Sequence, residues 1–385
     1  MAQVAPTTSA EYSIEKGRSP LRVSLSNFLS HRPAVFGLFV LFILYVVALG
    51  ADFIAPYHFD NEERSLQWSP PSNLHFSDEN ASGWRPFVYP IRSYIDDDFT
   101  IKTEPDKNVR LYFRFFITVP EYYFLGTVPL KTKLFGFDPA PAVADGGEQY
   151  FSRYYMLGAD MKGRCIFSRI CYGSRVSMSI GILGAAIVFV IGMFVGGVSG
   201  YFGGAIDNVL QRLCELIMLL PGFYLLLMLR FLFPPDMSSV TVYFAVVLIL
   251  ALVGWAPLAR VIRGMVLSIR SNDYIQSARA IGQTDLAIIV KHVLPNTLSY
   301  AIVAVTLAIP GYIIGESALS VLGLGIMEPI PSWGNMLQKA TEINELQQHP
   351  WVLWPGFFIF VAIMAFNLVG DGLRDAFDPK LRKRD

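Results

Sequence analysis

The chain has 385 residues, 53% of them hydrophobic and only 16% charged, and its 31 basic and 31 acidic side chains cancel. A mean hydropathy of +0.43 excludes an ordinary soluble domain, and the balanced charge excludes a nucleic-acid binder working through a basic surface. Lipid must solvate much of the chain, so the placement of apolar runs and of charges carries the information.

Residues 1–33 form a basic N-terminal tail with Lys16, Arg18, Arg22 and Arg32. Within it, Leu21 to Phe28 reads either as a short interfacial helix or as a partly ordered tail. An apolar run over 34–54 follows, matching the length of about 20 residues that a helix needs to cross a hydrocarbon core of about 30 Å. Ala48-Leu49-Gly50-Ala51 faintly resembles a signal cleavage site, but the apolar run is too long and too far from the start for a signal peptide. An uncleaved first span is expected.

Residues 55–175 are different in kind: polar, acidic at Asp96-Asp97-Asp98, and dense in Tyr, Phe and Pro. Val109 to Val119 is rich in β-formers with partial alternation and meets Pro120, which predicts a strand. Short runs between Pro, Gly and Asp elsewhere predict a small β-rich domain capping the extracytoplasmic face. Residues 176–372 then carry five further spans, expected near 177–198, 208–232, 240–260, 297–319 and 353–370, before a tail at 373–385.

Basic residues cluster in the first tail, in the loop after the fourth span (Arg260, Arg263, Arg270, Arg279, Lys291), and after the last span (Arg374, Lys380, Arg382, Lys383, Arg384). By the positive-inside rule these three segments are cytoplasmic, as six spans with both termini inside require. Cys165, Cys171 and Cys214 lack metal-ligand spacing and imply no disulfide framework.

Several residues within the apolar runs stand out. Gly192, Gly196 and Gly200 recur every four residues, a close-approach seam directed either at a second subunit or at a helix of this one. Glu316 is costly to ionise in lipid, so it either lines or gates a pathway or is a paired structural carboxylate. Arg212 and Glu215 are spaced for an intrahelical ion pair, as are Asp371 and Arg374. No inverted repeat, no phosphate-binding loop and no helix-borne metalloprotease motif is present. No catalytic or metal site is therefore expected, nor ATP hydrolysis by this chain.

The loop at 271–296 carries most of the mechanism. Asn272 or Asp273 caps a first short helix, Ile275, Ala278 and Ile281 give it an apolar stripe, and Gly282 supplies a left-handed stop. Thr284 or Asp285 caps a second helix through Leu286, Ile289 and Val293, and Pro295 marks entry into the fifth span. The loop is thus either a rigid corner for a peripheral motor to grip or an ordinary connection.

This segment resembles the E-A-A loop of ABC importer permeases. Gln276, Ser277 and Ala278 stand at E-A-A, Gly282 at the required glycine, and His292-Val293-Leu294-Pro295 at the closing I-x-L-P. Gln276 departs from the acidic residue and His292 from the apolar one. Leu157-Gly158-Ala159-Asp160, Gly163-Arg164, Ser168-Arg169 and Tyr172-Gly173-Ser174-Arg175 are similar to a signature of the oligopeptide/dipeptide permeases. So are Glu316 to Gly325 with Pro331-Ser332-Trp333-Gly334, and Asp371 to Pro379. The resemblance covers the first span and everything from about 157 onward, but not the insert.

It implies an all-α polytopic membrane protein of the type I ABC importer permease fold, with six transmembrane helices and an inserted β-rich domain. It further implies an inner-membrane location in a bacterium or archaeon and a peptide-class solute. Four kinds of partner follow: a second homologous permease, two cytoplasmic ATPase subunits that bind ATP and Mg, an extracytoplasmic solute-binding protein, and the lipid bilayer. Oligosaccharides or opines are the alternative cargo. A membrane-anchored receptor with a ligand-binding insert is the alternative of another class.

Overall fold

The computed structural model describes residues 20–78, 81–95, 101–105, 107, 109–137, 150–151, 153–219, 221–232, 234 and 237–377. Lys16, Arg18, Asp96 to Asp98, Asp378, Pro379, Lys380 and Arg382 to Arg384 lie outside them. The chain opens with helix α1 (Pro20–Ser30), and α2 (Arg32–Leu49) follows after His31, whose ring nitrogen accepts the Ala34 amide at 3.2 Å. Of the two readings of the segment around Leu21 to Phe28, the helix is the one formed. It packs on the last helix of the chain, with Phe28 buried beside Gly372. Gly50 separates α2 from the single turn α3 (Ala51–Ile54).

The insert holds seven strands: β1 (His75–Asp78), β2 (Ala81–Val88), β3 (Ile91–Ile95), β4 (Ile101–Pro105), β5 (Leu111–Phe124), β6 (Val128–Phe137) and β7 (Tyr150–Phe151). They form antiparallel sheets in the orders β1-β2-β5-β6 and β4-β3-β7. Strand β5 runs past Pro120, which ends the run in the sequence. The register shifts between Thr118 and Tyr122, and such a bulge leaves a residue without an N–H outside the ladder. The sheet rests on the helices through Phe135 against Phe167 and through Lys133 Nζ, which donates to the Ala55 carbonyl at 2.6 Å.

Helix α4 (Ile166–Phe202) follows, then α5 (Gly204–Leu219), α6 (Gly222–Phe231) and α7 (Ser239–Ile269). After the loop come α8 (Asp273–Ala280) and α9 (Asp285–Ile288), the latter continuing through a π turn (Ile289–Val293) and a 3-10 turn (Leu294–Thr297) into α10 (Leu298–Val321). Short helices α11 (Trp333–Met336) and α12 (Ile343–Gln348) lead to α13 (Trp354–Phe377). Five helical stretches among the described residues are long and apolar enough to cross a membrane: Arg32–Leu49, Ile166–Phe202, Ser239–Ile269, Asp285–Val321 and Pro350–Phe377.

Among the described residues the third run, expected as one helix over 208–232, is instead divided into two shorter helices, so five single helices rather than six reach spanning length. Pro221 lies between α5 and α6, and proline lacks the amide donor that a continuous helix would need there.

The core is centred on α4 and α7, the most closely packed helix pair. Their approach explains the glycine repeat. A Cβ at Gly192 would stand 2.8 Å from a Leu258 methyl, one at Gly196 2.5 Å from the Ala259 carbonyl, and one at Gly200 2.7 Å from the Arg263 carbonyl. The seam thus belongs to packing within this subunit. At 37 residues α4 is about 55 Å long, well beyond the bilayer's hydrocarbon thickness. All three cysteines are buried and unpaired.

Candidate functional site: a helical corner and three polar networks

The loop after α7 folds as two helices at a corner. Asn272 takes the N-cap position of α8, and Ile275 and Ala278 turn inward, 1% and 6% exposed. Ile281, expected on that same stripe, instead points outward at 80% exposure. It stands at the end of the helix, where the chain has already begun to turn. Gly282 has φ +85°, with open space where a side chain would stand. Backbone conformation, not crowding, is what demands glycine there. The Gln283 amide returns to the Ala278 carbonyl at 3.2 Å, closing the C-cap, and Thr284 is the N-cap of α9.

Gln276 has a role open only to an amide: its Nε2 donates to the Arg270 carbonyl at 2.9 Å, tying α8 to the end of α7. A carboxylate at that position has no proton to give. His292, the other departure, bonds Gln283 at 3.0 Å through Nε2. Ser277 is exposed, with its carbonyl accepting the Ile281 amide. Leu286 is 58% exposed on the outer surface. Pro295 sits in the 3-10 turn after the π turn, where the missing amide would interrupt a regular helix.

The corner is clamped to the end of α4. Tyr201 Oη donates to Asp285 Oδ1 at 2.7 Å, and the Arg279 guanidinium lies 5.1 Å from the Tyr201 ring centroid. Arg270 Nη1 reaches the Gly200 carbonyl at 3.3 Å. Behind them Ile288, Ile289 and Val293 are fully buried. Near the same end of α4, Asp207 of α5 accepts from Ser199 Oγ at 2.5 Å and from Arg263 Nε at 3.0 Å. Arg263, Arg270 and Arg279, read in sequence only as topogenic charges, therefore each have a specific partner.

A second network lies at the opposite end of α4. Arg164 Nε donates to Asp160 at 2.7 Å and Nη2 to Glu328 at 2.5 Å, while Arg169 bridges the same carboxylates at 3.1 and 3.2 Å. Lys162 Nζ adds a contact to Glu328 at 2.9 Å. Both arginine side chains are 2% exposed. Partial burial pushes the Glu328 carboxyl up, but the hydrogen bonds of Arg164 and Lys162 and the Arg169 charge outweigh it and hold the group at about 2.

Glu316 occupies a third polar nest and is fully buried. Its Oε1 accepts from Ser320 Oγ at 2.7 Å, and its Oε2 from Ser177 at 3.3 Å and Ser317 at 3.5 Å. Two of these hydroxyls pass the polarity on to backbone: Ser177 accepts the Trp333 amide at 3.0 Å and Ser320 the Ile326 amide at 3.2 Å. The Trp333 indole donates to the Ile170 carbonyl, and Ser332 and Asn335 form a reciprocal cap at the start of α11. Glu316 therefore fastens the end of α10 and the 322–336 segment to α4, and its carboxylate meets no open surface of this chain.

The other candidates are peripheral. Arg212 and Glu215 pair at 2.9 Å on the exposed face of α5. Asp371 and Arg374 are both exposed and do not pair with each other, contrary to expectation; Asp375 instead lies 3.5 Å from His31. Solvated surface charges gain little from pairing, about 0–1 kcal/mol. Among the described residues no His/Cys/Asp/Glu cluster suited to a metal ion occurs.

Apolar helices of spanning length packed on a glycine seam, with a rigid corner at one end, are the features of a multi-pass membrane protein. The sequence profile of the binding-protein-dependent transport system inner membrane component matches residues 189–383, and that of the N-terminal TM domain of oligopeptide transport permease C matches 19–72. The chain belongs to the family of binding-protein-dependent transport inner-membrane components, the non-catalytic permease subunits of ABC transporters, in which ATP is hydrolysed on separate subunits.

It is 41% identical over 230 residues to the dipeptide transport system permease protein DppC of Bacillus subtilis, covering 60% of this chain and 70% of that protein. It is 35% identical over 233 residues to the oligopeptide permease OppC of the same organism, covering 60% and 74%. Identity to the glutathione transport system permease GsiD of Pectobacterium atrosepticum is 38% over 231 residues, again covering 60% and 74%. Among solved structures, an inward-facing MetNI methionine ABC transporter superposes with a TM-score of 0.41 at 20% identity, covering 55% of this chain and 97% of that one.

Proposed function

We propose that this chain forms half of the translocation pathway of an ATP-driven importer whose solute is a short peptide or a peptide-like molecule. The names of its relatives, which refer to dipeptides, oligopeptides and glutathione, support that solute class. In this reading the corner at 271–296 faces the cytoplasm and receives an ATPase subunit. A second homologous permease, a second ATPase and an extracytoplasmic binding protein complete the complex.

The observation that carries the reading is the corner itself: Tyr274, Ile281, Leu286 and Val290 are 45%, 80%, 58% and 53% exposed on helices whose other faces are clamped to α4. Apolar side chains held outward on a rigid support suit a protein partner. Helices α5 and α6 together make one broken crossing, so that the chain crosses six times with both termini on the cytoplasmic side. The strands of the insert then cap the extracytoplasmic face, where the binding protein would dock. Glu316 serves the pathway indirectly, by fixing α10 against α4.

Purification of the solubilised chain from its host tests the assignment. An ATPase should accompany the native chain and be lost from the Ile281→Asp, Leu286→Asp double variant; equal retention by both would remove the corner as the docking site. Uptake of labelled di- to pentapeptides into proteoliposomes then tests the solute class.

A further inference from the structure

The β5–β6 hairpin of the insert ends in an apolar tip that is tied to Asp52, just beyond the C-terminal end of α2. Helix α2 has 18 residues and so spans about 27 Å, close to the hydrocarbon thickness of about 30 Å. Its exposed Phe42, Val46 and Leu49 belong to a lipid-facing surface. Arg175 caps its end, donating to the Ala48 carbonyl at 2.6 Å and the Leu49 carbonyl at 2.9 Å. The same guanidinium holds Asp52 at 2.8 Å, and the second ligand of Asp52 is the Leu125 amide at the hairpin tip, at 2.9 Å. The tip is thus tied less than one helical turn beyond the end of the span.

From Tyr122 to Leu130 the hairpin contains no charged residue. Tyr123, Leu125 and Val128 are 59%, 49% and 50% exposed, and Phe116, whose ring lies 6.4 Å from Phe53 of α3, is 64% exposed. Leu125 and Phe116 have φ of +50° and +55°, conformations that cost energy for a bulky side chain and yet turn these groups away from the protein. The charges resume at Glu121 and Lys131, which pair at 3.3 Å. An apolar, aromatic tip followed by a charged collar is the pattern of a group seated at a bilayer interface.

We infer that the β5–β6 tip is a membrane-interface anchor, with Tyr123, Leu125 and Val128 seated among the lipid headgroups of the leaflet facing the insert. Its occupant is lipid because the tip continues, through Asp52, the surface that α2 already presents to lipid. Bound there, it adds a lipid attachment to the contacts that Phe135, Lys133 and Leu125 already make with the helices.

Spin-label depth measurement on the full chain tests this, in discs of phosphatidylethanolamine and phosphatidylglycerol. The three native cysteines are buried, so labels are placed by Leu125→Cys, Val128→Cys and Lys131→Cys, with the unaltered chain as blank. Val128 lies in ordinary strand backbone and serves as the second reporter should the Leu125 variant not fold. At 125 and 128 oxygen should relax the label more than a water-soluble nickel chelate does, with the order reversed at 131. Greater relaxation by the chelate at 125 and 128 would place the tip in water and overturn the proposal. Protection from both agents would mean a protein cover and overturn it equally.

Discussion

Tyr201 at the end of α4 donates its phenolic proton to Asp285 at 2.7 Å, across 84 residues of sequence, while Arg279 covers the ring. This contact joins both helices of the corner to the helix at the centre of the core. In the proposed reading this contact is the route by which a push on the corner would reach α4, since the corner is backed by the fully buried Ile288, Ile289 and Val293. Tyr201→Phe removes one hydrogen bond, at a cost of about 0.5–1.5 kcal/mol, but keeps the ring under Arg279; Tyr201→Ala removes both contacts. Hydrogen exchange of residues 273–288 should rise slightly in the first variant and clearly in the second. Equal exchange in all three proteins would contradict the clamp.

The glycine seam makes a prediction of opposite signs. Gly196→Ala puts a methyl 2.5 Å from the Ala259 carbonyl, and overpacking of this kind costs about 1–3 kcal/mol. Gly264→Ala, in α7 with nothing within 4 Å, should be neutral or gain up to about 1 kcal/mol from helix propensity. Thermal unfolding in detergent distinguishes them, and equal shifts would contradict the seam.

Glu316 is predicted to act through its acceptors. Glu316→Ala leaves the buried hydroxyls of Ser177, Ser317 and Ser320 without their partner, at about 1–3 kcal/mol for each group left unsatisfied. Glu316→Gln retains one oxygen and should be the milder variant. The yield and melting temperature of the two proteins decide the point; an alanine variant as stable as the glutamine one would show that the nest does not hold α10.

The Glu328 network makes stability depend on pH on the acid side. Its carboxyl is held at about 2, below the ordinary value of 4.5, so its contribution is present above about 4.5 and declines as pH falls toward 2. Glu328→Gln abolishes that titration, so its acid destabilisation between those values should be shallower than the native chain's. Parallel curves for the two proteins would contradict the assignment.

What the sequence made legible was local. Gly282, the N-cap positions at Asn272 and Thr284, and Pro295 are readable because each marks a local break in the helix, and the structure places helix ends there, although neither Asn272 nor Thr284 makes a side-chain capping bond. The polar networks were beyond reach, since Glu328 meets Arg164 from 164 residues away and nothing in its neighbourhood marks it as a partner. Pro221 was visible, but the apolar residues around it outweigh one proline in any average over a span-length window. Gly196 showed that close approach was required without showing which helix approaches. Ile281 sits at the right spacing for the buried stripe, yet it falls where the helix ends, and end effects govern its direction.

The central claim is that the corner converts the work of a separate ATPase into movement of this chain. It is tested most directly by Gly282→Val in the reconstituted complex, with peptide uptake and ATP turnover measured together. The left-handed backbone at Gly282 costs a β-branched residue at least about 1–2 kcal/mol, while the open space around it spares the rest of the fold. The account predicts a complex that assembles normally and no longer couples uptake to hydrolysis. A Gly282→Val complex that imports at the native rate with an unchanged ATPase response would contradict it.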